Sequence, residues 1–101
     1  MTIDFKKSFV DFTGNEILEG ERPKMISESL CFTLFYLSQM NGTIVSAEMK
    51  YTAYRICKKI TDKPEEVELT TEEGSFLKEV CGESYSAGAY GQIVDIIEQK
   101  I

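Results

Sequence analysis

The side chains able to do chemistry are few, and their spacing speaks against most reactions. Three cysteines, Cys31, Cys57 and Cys81, stand in 101 residues that contain no histidine. Without imidazole, neither a Ser–His nor a Cys–His nucleophile pair can be assembled, and the commonest metal ligand is missing with it. The cysteine count is odd and no two are at C-x-x-C spacing. Neither a zinc site nor a disulfide framework is indicated, and the thiols read as small buried hydrophobes. Carboxylates stand side by side at Glu65-Glu66 and Glu72-Glu73. The first pair falls in a turn and the second at a helix start, where solvation and the helix dipole explain them better than acid–base work. Gly88-x-x-Gly91 has the outline of a loop that grips phosphates, but no lysine accompanies it and its flanks are acidic. The four small residues among positions 87–91 read instead as a place where two helices pack closely. A Walker loop, a dinucleotide fingerprint and a calcium loop are all absent. No catalytic residue, cofactor-binding residue or metal ligand is assigned, and the chain reads as a non-enzyme without a cofactor.

What remains is a set of residues suited to contact. Tyr51, Tyr54, Arg55 and Lys58 share the outward face of a helix, with Lys50 and Lys59 nearby, and Tyr and Arg are favoured at interface hot spots. Tyr85 and Tyr90 join them as candidate contacts for a protein partner or for self-association. The competing reading pairs this basic face with the chain's own acidic segment. The net charge is −6. Residues 62–83 carry eight acids against two bases, which accounts for all of it. That segment reads as a solvated face, or as a docking face for a basic partner. Nucleic acid is an unexpected partner for so acidic a chain; a small nucleic-acid-associated regulator using the Tyr/Arg/Lys face of residues 50–59 is the alternative function.

These residues need a scaffold, and the length fits one domain spanning residues 1–101, with an apolar fraction of 43%. Residues 1–7 carry too little pattern to assign. They contain Asp4, Lys6 and Lys7 with no apolar core, so neither a secretion signal nor a membrane span is expected, and the cytoplasm is the expected compartment. Residues 9–13 and 16–19 read as two strands joined at Gly14-Asn15 by a two-residue II′ turn, with Phe12 facing Ile17. Residues 25–40 are the most apolar run and read as a central helix, with Pro23 opening it and Asn41-Gly42 ending it. Ile26, Leu30, Leu34 and Leu37 form one stripe; Met25, Phe32 and Tyr36 form a second. The aromatics of this run are read as core rather than as a ligand pocket.

Ser46 is a plausible N-cap for the next helix, whose buried stripe is Met49, Ala53, Ile56 and Ile60. Pro64 follows its end. Val67-Glu68-Leu69 is expected to add a third strand to the hairpin. Thr70 and Glu73 make a capping box. Phe76, Leu77 and Val80 give that helix its buried side, and Cys81-Gly82 closes it. The last helix carries the stripe Tyr90, Ile93, Val94, Ile97 and Ile101. The expected class is α+β: an N-terminal β-hairpin plus one short third strand packed on four α-helices, in the order β-β-α-α-β-α-α.

This layout resembles that of a group of small uncharacterised proteins encoded in bacteriophages and prophages. The matching residues are Asp11 and Gly14 in the first turn; Lys50, Tyr54 and Ile56 in the second helix; Leu69, Thr70, Glu72 and Glu73 at the next helix start; and Gly91, Gln92, Asp95 and Glu98 near the end. The resemblance implies a phage-derived accessory or assembly protein and brings no activity or functional residue with it.

Overall fold

The computed structural model describes residues 2–99. Four helices carry the fold: α1 (Ile26–Phe35), α2 (Ala47–Asp62), α3 (Thr71–Ser84) and α4 (Ala87–Ile97). Around them run six two-residue strands in three antiparallel pairs. These are β1 (Thr2–Ile3) with β6 (Val67–Glu68), β2 (Leu18–Glu19) with β3 (Arg22–Pro23), and β4 (Gln39–Met40) with β5 (Thr43–Ile44). The α+β class with four helices is therefore the observed one.

The helix signals act as their chemistry dictates. Ser46 Oγ accepts from the Met49 N–H at 3.1 Å, and the chain leaves α2 just before Pro64. Thr70 Oγ1 accepts from the Glu73 N–H at 3.1 Å while Glu73 Oε1 accepts from the Thr70 N–H at 2.9 Å, a complete capping box. The core collects Ile26, Leu30 and Leu34 from α1, Ala53, Ile56 and Ile60 from α2, Leu77 and Val80 from α3, and Ile93 and Ile97 from α4. Ile101, the last member expected in the α4 stripe, lies outside the described residues.

The strand arrangement departs from expectation in four places. The first hairpin is one residue longer at its turn than a II′ loop. The Asp11 carboxylate accepts from the Thr13 N–H, the Thr13 hydroxyl and the Asn15 N–H, and Gly14 takes φ 91°. Those bonds hold the Asp11 carboxyl below its usual range, the Thr13 hydroxyl contributing most. A side chain that completes its own turn displaces the two-residue alternative. Val10 consequently bridges to Glu16, and Phe12 sits fully exposed in the turn instead of facing Ile17. The chain then reverses again at Gly20, where φ is 70°, so Arg22 and Pro23 form a strand rather than the approach to α1. Third, β6 joins β1 and not the hairpin; the Phe5 N–H donates to the Pro64 carbonyl at 2.8 Å, and Ile3 and Phe5 are buried. Fourth, Asn41-Gly42, at φ 54° and 73°, does not cap the central helix. It is the turn of the β4–β5 hairpin, since two consecutive positive φ values also suit a tight hairpin. The helix has already ended at Phe35.

Two glycine readings change as well. Gly82 stays helical and α3 runs on to Ser84; a Cβ at position 82 would meet the Tyr90 ring at 3.6 Å. A Cβ at Gly88 or Gly91 would meet nothing within 4 Å, so the close approach between α3 and α4 lies at Gly82 and not in the small-residue run. The hairpin is fastened to α4 by Gln92. Its amide accepts from the Val10 N–H and donates to the Val10 carbonyl, both at 2.9 Å, copying a strand edge.

Burial also sorts the thiols. Cys81 is buried, with no polar partner among the described residues, and desolvation pushes it up to about 12 from 9.0. At pH 8 that leaves about a thousandfold less thiolate than an ordinary cysteine. Cys31 is half-buried, raised mainly by desolvation, and contacts the Thr61 hydroxyl at 3.3 Å. Timed iodoacetamide labelling read by mass should therefore modify Cys31 first and leave Cys81 untouched until denaturant is added. Native labelling of Cys81 at the rate of a free thiol would contradict this packing.

Candidate functional site

The features most out of keeping with a closed core lie on the outer surface of α1 and α2. Helix α1 buries one stripe, Ile26, Leu30 and Leu34, and points Phe32 and Phe35 away from it, with Tyr36 following as the C-cap. The second apolar stripe expected to be core is thus largely solvent-facing. Phe32 is 69% exposed, Phe35 58% and Tyr36 65%. The fold cannot cover it because α1 meets the rest of the molecule through its buried stripe and the seam with α2. Along that seam the thiols of Cys31 and Cys57 each approach the other residue's backbone carbonyl.

Helix α2 supplies the other half. Its buried stripe turns Tyr51, Tyr54, Arg55 and Lys58 outward, all exposed. The rings meet across the two helices: Phe32 and Tyr36 at 4.9 Å between centroids, Phe35 and Tyr36 at 5.2 Å, Phe35 and Tyr54 at 6.5 Å, and Tyr54 and Tyr51 at 6.3 Å. The Arg55 guanidinium lies 6.0 Å from the centre of the Tyr51 ring. Five rings in continuous contact, with cations at one side, make an apolar surface larger than scattered exposed residues would. Ile44, on the hairpin joining the two helices, is exposed too.

Of the six candidate contacts, the structure brings Tyr51, Tyr54, Arg55 and Lys58 onto one helix face and adds Phe32, Phe35 and Tyr36 to it. It separates Tyr85 and Tyr90 from them. The Tyr85 hydroxyl bonds to Ser29 Oγ at 2.8 Å and Thr33 Oγ1 at 3.0 Å; burial raises its pKa, and the two hydroxyls offset part of the rise. Tyr90 packs half-buried on the core against Gly82. Both serve the fold.

The carboxylate pairs are occupied structurally. Glu73 is held by Lys59 and the Thr70 N–H, and Glu66 by Lys63 at 2.7 Å. Lys59 is thus the member of the basic helix that pairs with the acidic segment; Arg55 and Lys58 make no ion pair among the described residues. A concavity of about 600 Å³ opens between the first hairpin and α4. Phe9, Val10, Phe12, Ile17 and Ala89 line it, and the Gln92 amide at its wall already bonds to Val10 and Gly88. Among the described residues no three Cys, Asp or Glu are grouped to hold a metal ion, and no helix is long and apolar enough to cross a membrane. Comparison of the chain with protein-family models, curated proteins and solved structures finds no match to any of them.

Proposed function

We propose that the protein is a non-enzymatic interaction module that engages a protein partner through the α1–α2 aromatic face. The observation that carries this reading is the exposure of five mutually contacting rings, Phe32, Phe35, Tyr36, Tyr51 and Tyr54, on a domain that buries the rest of its helical apolar stripes. Large aromatic rings lose little conformational entropy on binding, and they bury large areas and dominate interface energetics. A cytoplasmic accessory or assembly role, of the kind phage-encoded proteins perform, belongs to the same proposal and is supported by the sequence layout.

The test is site-specific photocrosslinking. p-Benzoylphenylalanine placed at Tyr36 should give protein adducts in cells, and the same residue placed at Ser75, exposed on α3, should give none. Adducts at both positions alike, or at neither, would remove the aromatic face from consideration.

A further inference from the structure

We infer that the occupant of the aromatic face is an acidic amphipathic segment of a partner protein, with apolar side chains on the rings and carboxylates reaching Lys50, Arg55 and Lys58; this rests on the reading just given. The distribution of unpaired charge selects this occupant. Among the described residues, Lys7 pairs with Asp4, Arg22 with Glu28, Lys59 with Glu73, Lys63 with Glu66 and Lys78 with Glu98. Lys50, Arg55 and Lys58 hold no ion pair, although the chain has an excess of six acids. Acids are plentiful, yet Lys50 and Lys58 pair with none of them, and Arg55, which borders the groove lined by Glu72 and Glu73 and acts on Glu73 through space, forms no ion pair either. All three project from the exposed side of α2, interleaved with Tyr51 and Tyr54, while the acids of the same helix, Glu48 and Asp62, stand at its two ends. The other described cations without an ion pair, Lys6 and Lys24, belong to the N-terminal segment, and Lys24 lies 5.9 Å from the Phe9 ring. An apolar centre with cations beside it selects an apolar segment bearing negative charge, because opposite rim charges speed encounter and like charges reject it.

Two other occupants fit less well. A second copy presenting the same face would bring its own Lys50, Arg55 and Lys58 toward these, a like-charge arrangement. A single strand of nucleic acid needs free ring faces for stacking and a continuous basic track for its phosphates. Here the rings lean on one another, Arg55 sits by the face of Tyr51, and the whole chain is acidic.

Fluorescence anisotropy decides the matter with three labelled helical peptides that share one Leu-rich face and carry all Glu, all Gln or all Lys on the other. The Glu peptide should bind about tenfold more tightly than the Gln peptide, the sum of three modest rim pairs, and added salt should erase the difference. The Lys peptide should bind most weakly. Reversing Lys50, Arg55 and Lys58 together to Glu should invert the order, with circular dichroism confirming an unchanged fold. Equal binding of the Glu and Gln peptides overturns the acidic partner. So does tighter binding of an oligo-dT strand than of any peptide, or a dimer in light scattering that binds no peptide. Adducts at position 36 would survive each of those results, so failure here and failure of the interaction face are separate events.

Discussion

Replacing Leu30 by Ala should lower the unfolding free energy by about 3 kcal/mol, whereas replacing Phe32 by Ala, two residues further along α1, should change it by less than about 1 kcal/mol. Leu30 is fully buried between the helices. Its truncation removes transfer free energy and leaves a cavity that a rigid helical neighbourhood fills only in part. For a chain of this length the expected fall in melting temperature is about 15 °C. Phe32 is the larger side chain, yet it is 69% exposed, and its ring contact is with Tyr36, which is exposed as well. Ala is also the better helix former, which offsets part of any lost ring contact. Urea unfolding of the two variants beside the parent makes the comparison. Losses of similar size would mean that Phe32 is a core residue and that the aromatic face is closed. The expected asymmetry would instead place Phe32 among residues kept for contact, at little benefit to the fold.

Much of this fold is legible where a local rule and the tertiary packing agree. Ser46, Thr70 with Glu73, and the residue before Pro64 mark helix ends through bonds a few residues long, and the structure uses each as written. The 3.6-residue stripe Ala53, Ile56 and Ile60 is buried because α2 is long enough for one face to be unambiguous. Legibility fails where one local pattern serves two structures. Asn41-Gly42 provides two left-handed residues, which close either a helix or a hairpin; the adjoining strand pair decides, and it is only two residues long. Gly14-Asn15 predicts a two-residue turn until the Asp11 carboxylate is counted as a competing acceptor. Ile3 and Phe5 alternate with Asp4 and Lys6, a strand signal too brief to stand out, and its partner is distant in sequence. The candidate site shows the same division. Tyr51, Tyr54, Arg55 and Lys58 were visible as an outward face of α2. Phe32, Phe35 and Tyr36 were not, because periodicity counts apolar faces and cannot say which has a neighbour to cover it. The available signal was that α1 carries two separate stripes while lying next to a helix whose outward face is itself aromatic.

The acidic segment yields the second large effect. Glu73 is nearly buried, its side chain 10% exposed, and is gripped from two sides: Lys59 Nζ donates at 2.8 and 3.1 Å, and the Thr70 N–H at 2.9 Å. Desolvation raises its pKa, but the Lys59 ammonium and the Thr70 amide more than reverse this, leaving the carboxyl below the usual 4.5 of a glutamate. Lys59 also donates to the Glu68 carbonyl at 3.1 Å, so one contact cluster ties α2, β6 and the start of α3 together. Glu73→Ala should cost about 2 to 3 kcal/mol, since it leaves the Thr70 amide and a partly buried ammonium without their acceptor. Glu73→Gln keeps an acceptor and should cost less, about 1 kcal/mol at neutral pH. A carboxyl depressed in the folded state contributes stability that is complete above its unfolded value, near 4.5, and is lost as pH falls through the folded value. The advantage of the parent over Glu73→Gln should therefore be constant from pH 7 down to about 5 and then shrink with acidification. Urea midpoints for both proteins across that range measure it. An advantage that stayed constant into acid would mean that the Glu73 charge does no stabilising work and that its value to the fold is only the hydrogen bond it accepts.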